Sequence, residues 1–463
     1  MTQYRLESDS MGEVKIPREA LYGAQTQRAI NNFKISNRPL PESFIRALIA
    51  LKSAASIANH SLQRLPTETH VAIEQACIEL LEQKNLLAHF PVDIFQTGSG
   101  TSTNMNANEV IASLAGKNFE ATTSIHPNDH VNLGQSSNDV IPTTIHLSSS
   151  IELHVSLLPA IQHCINIIKS RAAELSHITK TGRTHLMDAM PIRMDQTLNA
   201  WAAQLSANQR NIERHLPIIS ELAIGGTAVG TGVNGHHQFA TLVCSELTQK
   251  FGFPFYPANN HVVLQSTQDS VVALSGILKA LAVTVMKISN DLRWMNSGPL
   301  AGLGEIKLPE LQPGSSIMPG KVNPVIPEAT AMVCAQVMGN DTTITVAGQS
   351  SNFELNVMLP VIADNILNSI SLMSRALTTL AEKALKGFDV NTSNIEAALH
   401  RNPILVTALN PIIGYSRAAE IAKTAYKSGE PIIDVAARMT DMSVQDLASA
   451  LDPEKLTRGH NNE

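Results

Sequence analysis

The sequence predicts an all-α protein of three domains, organised around a central bundle of five long helices, and three observations carry that reading. Hydrophobic residues make up 43% of the chain but aromatics only 4%, so the core has to be aliphatic and Ala-rich, which suits packed helices better than sheets. From residue 143 onward, five long stretches repeat their apolar residues with helical period. Shorter patterns, broken by Gly and Pro, flank those stretches on both sides. A length of 463 residues accommodates two or three domains.

Residues 1–138 form the first domain, mainly helical. Within it, 40–58 and 67–83 read as amphipathic helices, and a small-residue loop over 95–101 precedes a helix over 104–115 that Gly116 ends. That loop carries neither of the glycine patterns that cradle nucleotides, whereas Ser99, Gly100 and Thr101 ahead of a helix suit a carboxylate. His126-Pro127-Asn128-Asp129 reads as an Asx-type turn. In Ser136-Ser137-Asn138-Asp139, N-capping uses one or two polar side chains and the surplus points to a ligand; Pro142 lies just inside the next helix.

The second domain, 139–390, holds the five helices, expected over 143–175, 195–222, 266–295, 328–346 and 355–385. A 30-residue helix spans about 45 Å. Pro159 and Pro217 are expected to kink two of them. Only 271–288 approaches membrane hydrophobicity, and Ser275, Lys279 and Thr284 interrupt it, so it reads as a buried helix of a soluble bundle. A turn over 181–188 carries His185; His236-His237 reads as loop, because no second ligand cluster supports a metal pair. The Gly- and Pro-dense connector 297–327 is long enough to be functional and is expected to move. Pro403, Pro411, Gly414 and Gly429 divide 391–463 into the short helices of a third domain.

A net charge of −6 offers no global attraction for nucleic acid or an anionic membrane, so any cationic site has to be local. Cys77, Cys164, Cys244 and Cys334 form no Cys-x-x-Cys pair and read as reduced, buried thiols. The first residues lack an apolar signal core and an Arg-rich transit segment, so a cytoplasmic location is expected.

The densest chemistry lies in 314–328: the hydroxyls of Ser315 and Ser316, the ammonium of Lys321, the amide of Asn323 and the carboxylate of Glu328. Asn323-Pro324 is expected to cap a helix running from about Glu328, whose free N–H groups favour an anion. If the five helices alternate in direction, Asn138 lies at the opposite end of the bundle from His185 and Lys321. These loops are then expected to cooperate only between neighbouring subunits.

The string Gly-Ser-Ser-Ile-Met-Pro-Gly-Lys-Val-Asn-Pro at 314–324 resembles, without a gap, the signature of the fumarase/aspartase superfamily of lyases. Residues 22–28, 98–101, 126–129, 136–139, 182–185 and 354–356 are similar, in the same order, to segments of class II, iron-independent fumarases. The resemblance implies three helical domains, a homotetramer joined through its bundles, and active sites built from three subunits. It implies reversible hydration of fumarate to L-malate with no metal and no organic cofactor. It assigns the base to Ser315, the acid to His185 oriented by Glu328, and the holding of an aci-carboxylate intermediate to Lys321 and Asn323. Ser99, Gly100, Thr101, Ser136, Ser137, Asn138, Thr184 and Ser316 are implied to join them in binding substrate. His126, Pro127, Asn128 and Asp129 resemble a secondary dicarboxylate site, although no basic residue lies just before His126 and Leu133-Gly134 replaces a polar pair. Val325-Ile326-Pro327 is as similar to aspartases, which keeps aspartate ammonia-lyase as an alternative. Aspartases usually carry Gln at the place of His185 and Ala at that of Gly320, which favours water over ammonia. An inactive structural scaffold of the same superfamily is the third reading.

Overall fold

A computed structural model describes residues 3–118 and 124–458. The chain divides into two compact units: Met1–Pro159, Arg210–Ala282 and Ala335–Ser374 form one, and Ala160–Gln209, Val283–Cys334 and Arg375–Glu463 form the other. Every internal boundary falls inside one of the long helices.

The first unit opens with a hairpin of β1 (Tyr4–Asp9) and β2 (Gly12–Pro17), in antiparallel register from Tyr4↔Pro17 to Asp9↔Gly12. Its alternating apolar and charged residues are a strand pattern absent from the helical expectation. Helices α1 (Ala24–Asn32), α2 (Glu42–Ser61), α3 (Thr67–Glu82) and α4 (Thr101–Asn118) follow. Helix α4 starts three residues before the expected Asn104 and runs through Gly116 rather than ending there. No side chain next to α1 caps it. Glu109 of α4 does so instead, accepting from the N–H groups of Gly23 (2.9 Å), Gln25 (2.9 Å) and Thr26 (3.1 Å) and from the Thr26 hydroxyl (2.5 Å). Burial raises the Glu109 carboxyl above its usual range, and these donors pull the other way.

Helix α5 (Ser137–Glu152), a π turn at Leu153–Leu157 and α6 (Leu158–Glu174) run on as the first long helix. Pro159, where a kink was expected, has no N–H for the ladder, and a widened turn lies just before it. The second long helix, α7 (Met194–Ile219), is preceded by the antiparallel strands β3 (Thr179–Thr184) and β4 (Met187–Arg193), where only a turn was expected. Pro217 sits in its last turn. After α8 (Phe239–Phe251) and the short α9 (His261–Ser266) come α10 (Asp269–Met295), α11 (Val325–Gln349) and α12 (Leu359–Leu380). The fourth long helix therefore begins at Val325 rather than Glu328. The fifth begins at Leu359, because Leu355–Asn356 pairs with Ser351–Asn352 as a tiny hairpin.

Within the first unit, polar contacts set how these helices face each other. Asp341 on α11 takes the Ser275 hydroxyl at 2.8 Å and Lys279 at 2.6 Å from α10. His146 on α5 bonds the Ser270 hydroxyl at 2.7 Å, and burial pushes its imidazole down to about 4. Within the second unit the Trp201 indole donates to Asp291 at 3.2 Å. There too, Leu409, Ile421, Val435 and Leu447, all fully buried, anchor a separate C-terminal core. Besides Asp269–Met295, Ser137–Glu174 is also long and apolar enough to cross a membrane by length and composition. The inner faces of both are packed in the protein interior, as Val140, Ile141, Leu274, Leu278 and Leu281 at 0% exposure show.

Glu109→Gln keeps the shape but turns one acceptor oxygen into a donor facing N–H groups. Chemical denaturation should show a loss of about 1–3 kcal/mol, the scale for stranding buried donors, with no change in overall helicity.

Candidate active site

In the second unit, the loop before α11 is tied into a closed shape by its own main chain. The Gly314 N–H donates to the Lys321 carbonyl at 2.7 Å, and the Asn323 side chain donates to the Gly314 carbonyl at 2.7 Å. Asn323 thus closes the loop instead of capping the helix as expected. Inside the closure, the Ser315 hydroxyl oxygen accepts from the N–H groups of Ile317 (3.2 Å) and Met318 (3.0 Å). Ser315 is half-buried, while Ser316 and Lys321 are exposed. Lys321, Asn323 and Glu328 line a cavity of about 580 Å³ together with Asn290, Arg293 and Trp294. A cation, an amide and a carboxylate on one cavity wall suit an anionic ligand that exchanges protons.

His185 sits at the tip of the β3–β4 hairpin. With Leu186 it forms the two-residue connection between Thr184 and Met187, and both take left-handed φ values of 56° and 61°. That is the type I′ geometry usually supplied by Asn and Gly, so a histidine and a leucine there are strained. Thr184, His185, Leu186 and Met187 are all exposed. Among the described residues, no hydrogen bond joins His185 to Glu328 within this chain.

The first unit holds the remaining candidates. Gly98 lies so close to Val357 that a Cβ there would be 1.9 Å from the Val357 carbonyl oxygen. The turn carrying Val357 is fixed by buried Asn356, which donates to Ala347 O at 3.0 Å and accepts from the Met358 N–H at 2.8 Å. Against this wall the Ser99 and Thr101 hydroxyls bond each other at 2.9 Å, with Gly100 between them at φ 72°. Ser136 caps α5 in a capping box with Asp139, and the Asn138 side chain donates to Ala228 O at 2.9 Å. The 126–129 segment is not an Asx turn: its last three residues lie within a π turn, Pro127–Val131, and the His126 ring nitrogen at the start accepts the N–H groups of Asn128 and Asp129 at 3.3 and 3.2 Å. His236, read as loop, stacks on His237 at 4.4 Å.

Beneath the α5 cap lies a group that motif reading missed. Lys52 is fully buried, and its ammonium bonds Asn132 Oδ1 and Gln135 Oε1, both at 2.9 Å. Asn132 Oδ1 also takes Asn104, which in turn donates to the Ser137 hydroxyl at 3.0 Å. Asp139, also fully buried, accepts from the N–H groups of Gly225 (3.0 Å) and Thr227 (2.9 Å). Burial drives Lys52 down to about 7, with Asp139 pulling it back up, and drives the Asp139 carboxyl up to about 6. The signal was there in sequence: a lone lysine flanked by Leu48, Leu51 and Ala55 on a helix face that otherwise reads as core.

Comparison with known proteins bears on the whole chain. A family described as Lyase matches residues 12–339, and one described as Fumarase C C-terminus matches 405–458. Fumarate hydratase class II 2 of Pseudomonas aeruginosa is 59% identical over 459 residues, covering 99% of this chain and 100% of that one. Fumarate hydratase class II of Xylella fastidiosa is 53% identical, covering 99% and 96%. The crystal structure of recombinant class II fumarase from Schistosoma mansoni superposes with a TM-score of 0.95 at 36% identity, covering 99% and 100%.

The buried lysine has a pH signature. Its folded value lies near 7 and its ordinary value at 10.5, so between these limits the unfolded chain binds the extra proton and stability rises with pH. Compared with Lys52→Met, the unsubstituted protein should gain stability as pH rises from about 7 towards 10, read by urea unfolding. A difference independent of pH would mean that Lys52 keeps its ordinary value in the fold.

Proposed function

The chain belongs to the lyase family that contains the class II fumarate hydratases, and from that premise we propose that it catalyses the reversible hydration of fumarate to L-malate. The observation that carries the mechanism is the pair of N–H groups on the Ser315 oxygen. An ordinary serine is far too weak a base to take the C3 proton of malate, and two fixed donors stabilise the alkoxide form that can. As that proton moves to Ser315, the electron pair spreads into the adjacent carboxylate as an aci-carboxylate. Lys321 and Asn323 meet the added charge. His185, protonated, then gives its proton to the C2 hydroxyl, which leaves as water; Glu328 of a neighbouring subunit orients the imidazole. Hydration is the reverse. Ser99, Gly100, Thr101, Ser136, Ser137, Asn138, Thr184 and Ser316 hold the two carboxylates, and His126 to Asp129 form a secondary dicarboxylate site.

The same reading makes the protein a cytoplasmic homotetramer with composite sites, its subunits divided at 1–138, 139–390 and 391–463. Support for composite sites comes from the exposed rim of the catalytic loops: Leu186 is 65% exposed, Met187 69% and Ile317 82%. Apolar side chains held out beside polar catalytic groups are the mark of a surface that another subunit covers.

Fumarate release from L-malate and from L-aspartate, followed by ultraviolet absorbance with and without a chelator, tests the reaction. Malate alone should give product, unaffected by chelator; product from aspartate would make the protein an ammonia-lyase. Ser315→Ala and His185→Asn should each leave the assembly intact and reduce kcat by about 10²–10⁴, the scale for losing an acid–base group. Near-normal turnover in either removes that residue from its role. Mixing the two inactive variants under conditions of subunit exchange should restore part of the activity, and verified exchange without recovery would rule out shared sites.

A further inference from the structure

The hairpin that ends in His185 is held at its root by a buried carboxylate with no place in the chemistry above. Glu305 is 3% exposed, and its two oxygens take Lys180 at 2.7 Å and Arg183 at 2.6 Å, both from β3. Residues three apart on a regular strand point to opposite faces. Here the long side chains of Lys180 and Arg183 nevertheless both reach Glu305, beside a bulge of β4 at which the register shifts between Thr181 and Arg183 and Gly182 faces both Ala189 and Met190. The bulge is tight: a Cβ on Gly182 would lie 2.5 Å from the Met190 carbonyl oxygen. Asn402, 1% exposed, locks it from the other side by donating to the Ala189 carbonyl at 2.8 Å.

Glu305 is itself fixed by its main chain. Its N–H donates to Met295 O at 2.8 Å at the end of α10, and its carbonyl accepts from Asn391 N at 2.9 Å, just before the helix Thr392–His400. A single buried carboxylate therefore refers the direction of the hairpin to two helices. Two residues beyond Arg183 the chain enters the strained turn, and the strain persists only if the surroundings over-determine it.

We propose that Glu305 is a positioning residue for the acid: by gathering Lys180 and Arg183 at the bulge, it fixes the direction in which the strained turn presents His185. This rests on the reading of His185 as the proton donor. Loss of either cation or of the carboxylate frees the root of the hairpin, and the imidazole moves off the line to the leaving hydroxyl. A misplacement of about 1 Å is enough to cost about 10²-fold in rate.

A double-mutant cycle separates positioning from a general structural role. Turnover of L-malate is measured for Glu305→Gln, for His185→Asn and for the two combined, each normalised to the amount of folded assembly. Alone, Glu305→Gln should reduce kcat by about 10–100-fold, the scale for second-layer partners, with KM within about twofold. In the His185→Asn background it should cost nothing further, because the group it positions is gone. An equal loss in both backgrounds overturns the inference while leaving the role of His185 standing. Normal turnover in His185→Asn alone is a different failure: it removes the acid and the inference with it. Should Glu305→Gln not fold, Arg183→Met, which leaves the Lys180–Glu305 pair in place, carries the same cycle with the same two outcomes.

Discussion

Two main-chain N–H groups converge on one serine oxygen, and much of the local structure exists to keep them there. Amides of Ile317 and Met318 can both reach Ser315 only if the chain doubles back within three residues. This is the bonding of an N-capping side chain, here made within a loop rather than at the start of a helix. The loop is held by a cross-loop main-chain bond from Gly314 to Lys321 and by the side chain of Asn323. The helix Val325–Gln349 starts two residues after Asn323, so its rigid axis anchors one end of the loop. If Ser315 is the base, as proposed, its polarity is set by backbone dipoles whose direction costs nothing to reorganise when charge develops, which suits a protein whose own net charge is negative.

The bundle was legible because each long helix buries a continuous aliphatic stripe, and that period survives any detail of its ends. Ends were the errors, each for a local reason. The helix at 101 starts early because the hydroxyl-rich turn feeds straight into it, and it passes Gly116, whose missing side chain costs about 1 kcal/mol, too little to stop an otherwise buried helix. The strands Thr179–Thr184 and Met187–Arg193 were read as a turn because Gly182 and Pro191 break any alternation. What makes them strands is tertiary: the Glu305 carboxylate and the Asn402 amide lie far away in sequence. The motifs singled out the polar residues of these loops, but not the partners that the structure gives them. Asn323 was expected to cap a helix and instead ties the loop, since both uses draw on the same side-chain amide and differ in where the chain returns.

Buried charge explains how several of the motif segments are held in place. Glu109 caps a helix elsewhere in the fold and gives the Tyr22 to Arg28 motif its structural sense. Asp139 ties the start of one helix to the amides of Gly225 and Thr227. Lys52 does the same for the segment between His126 and Ser136, through Asn132 and Gln135. An uncompensated ion in the interior costs several kcal/mol, so each of these groups locks its partners in one arrangement: moving any of them strands the charge. Such groups specify geometry more than they add stability.

The exposed side of the loops proposed to be catalytic makes the opposite demand. The ammonium of Lys321 and an imidazolium at His185, as proposed, attract a developing carbanion strongly only where water is kept out, since opposite unit charges 4 Å apart are worth about 1 kcal/mol in water and about 4 kcal/mol at an effective dielectric of 20. His185 and Ser316 are exposed in this chain, and so are Leu186, Met187 and Ile317 beside them. Apolar neighbours cannot hold substrate by hydrogen bonds, but they can seal against a second surface and exclude solvent from the polar groups they flank. Solvent exclusion is therefore something the proposed tetramer has to supply. On this view the oligomer is part of the catalytic apparatus, and a strained hairpin tip is kept because it has to reach out of its own subunit.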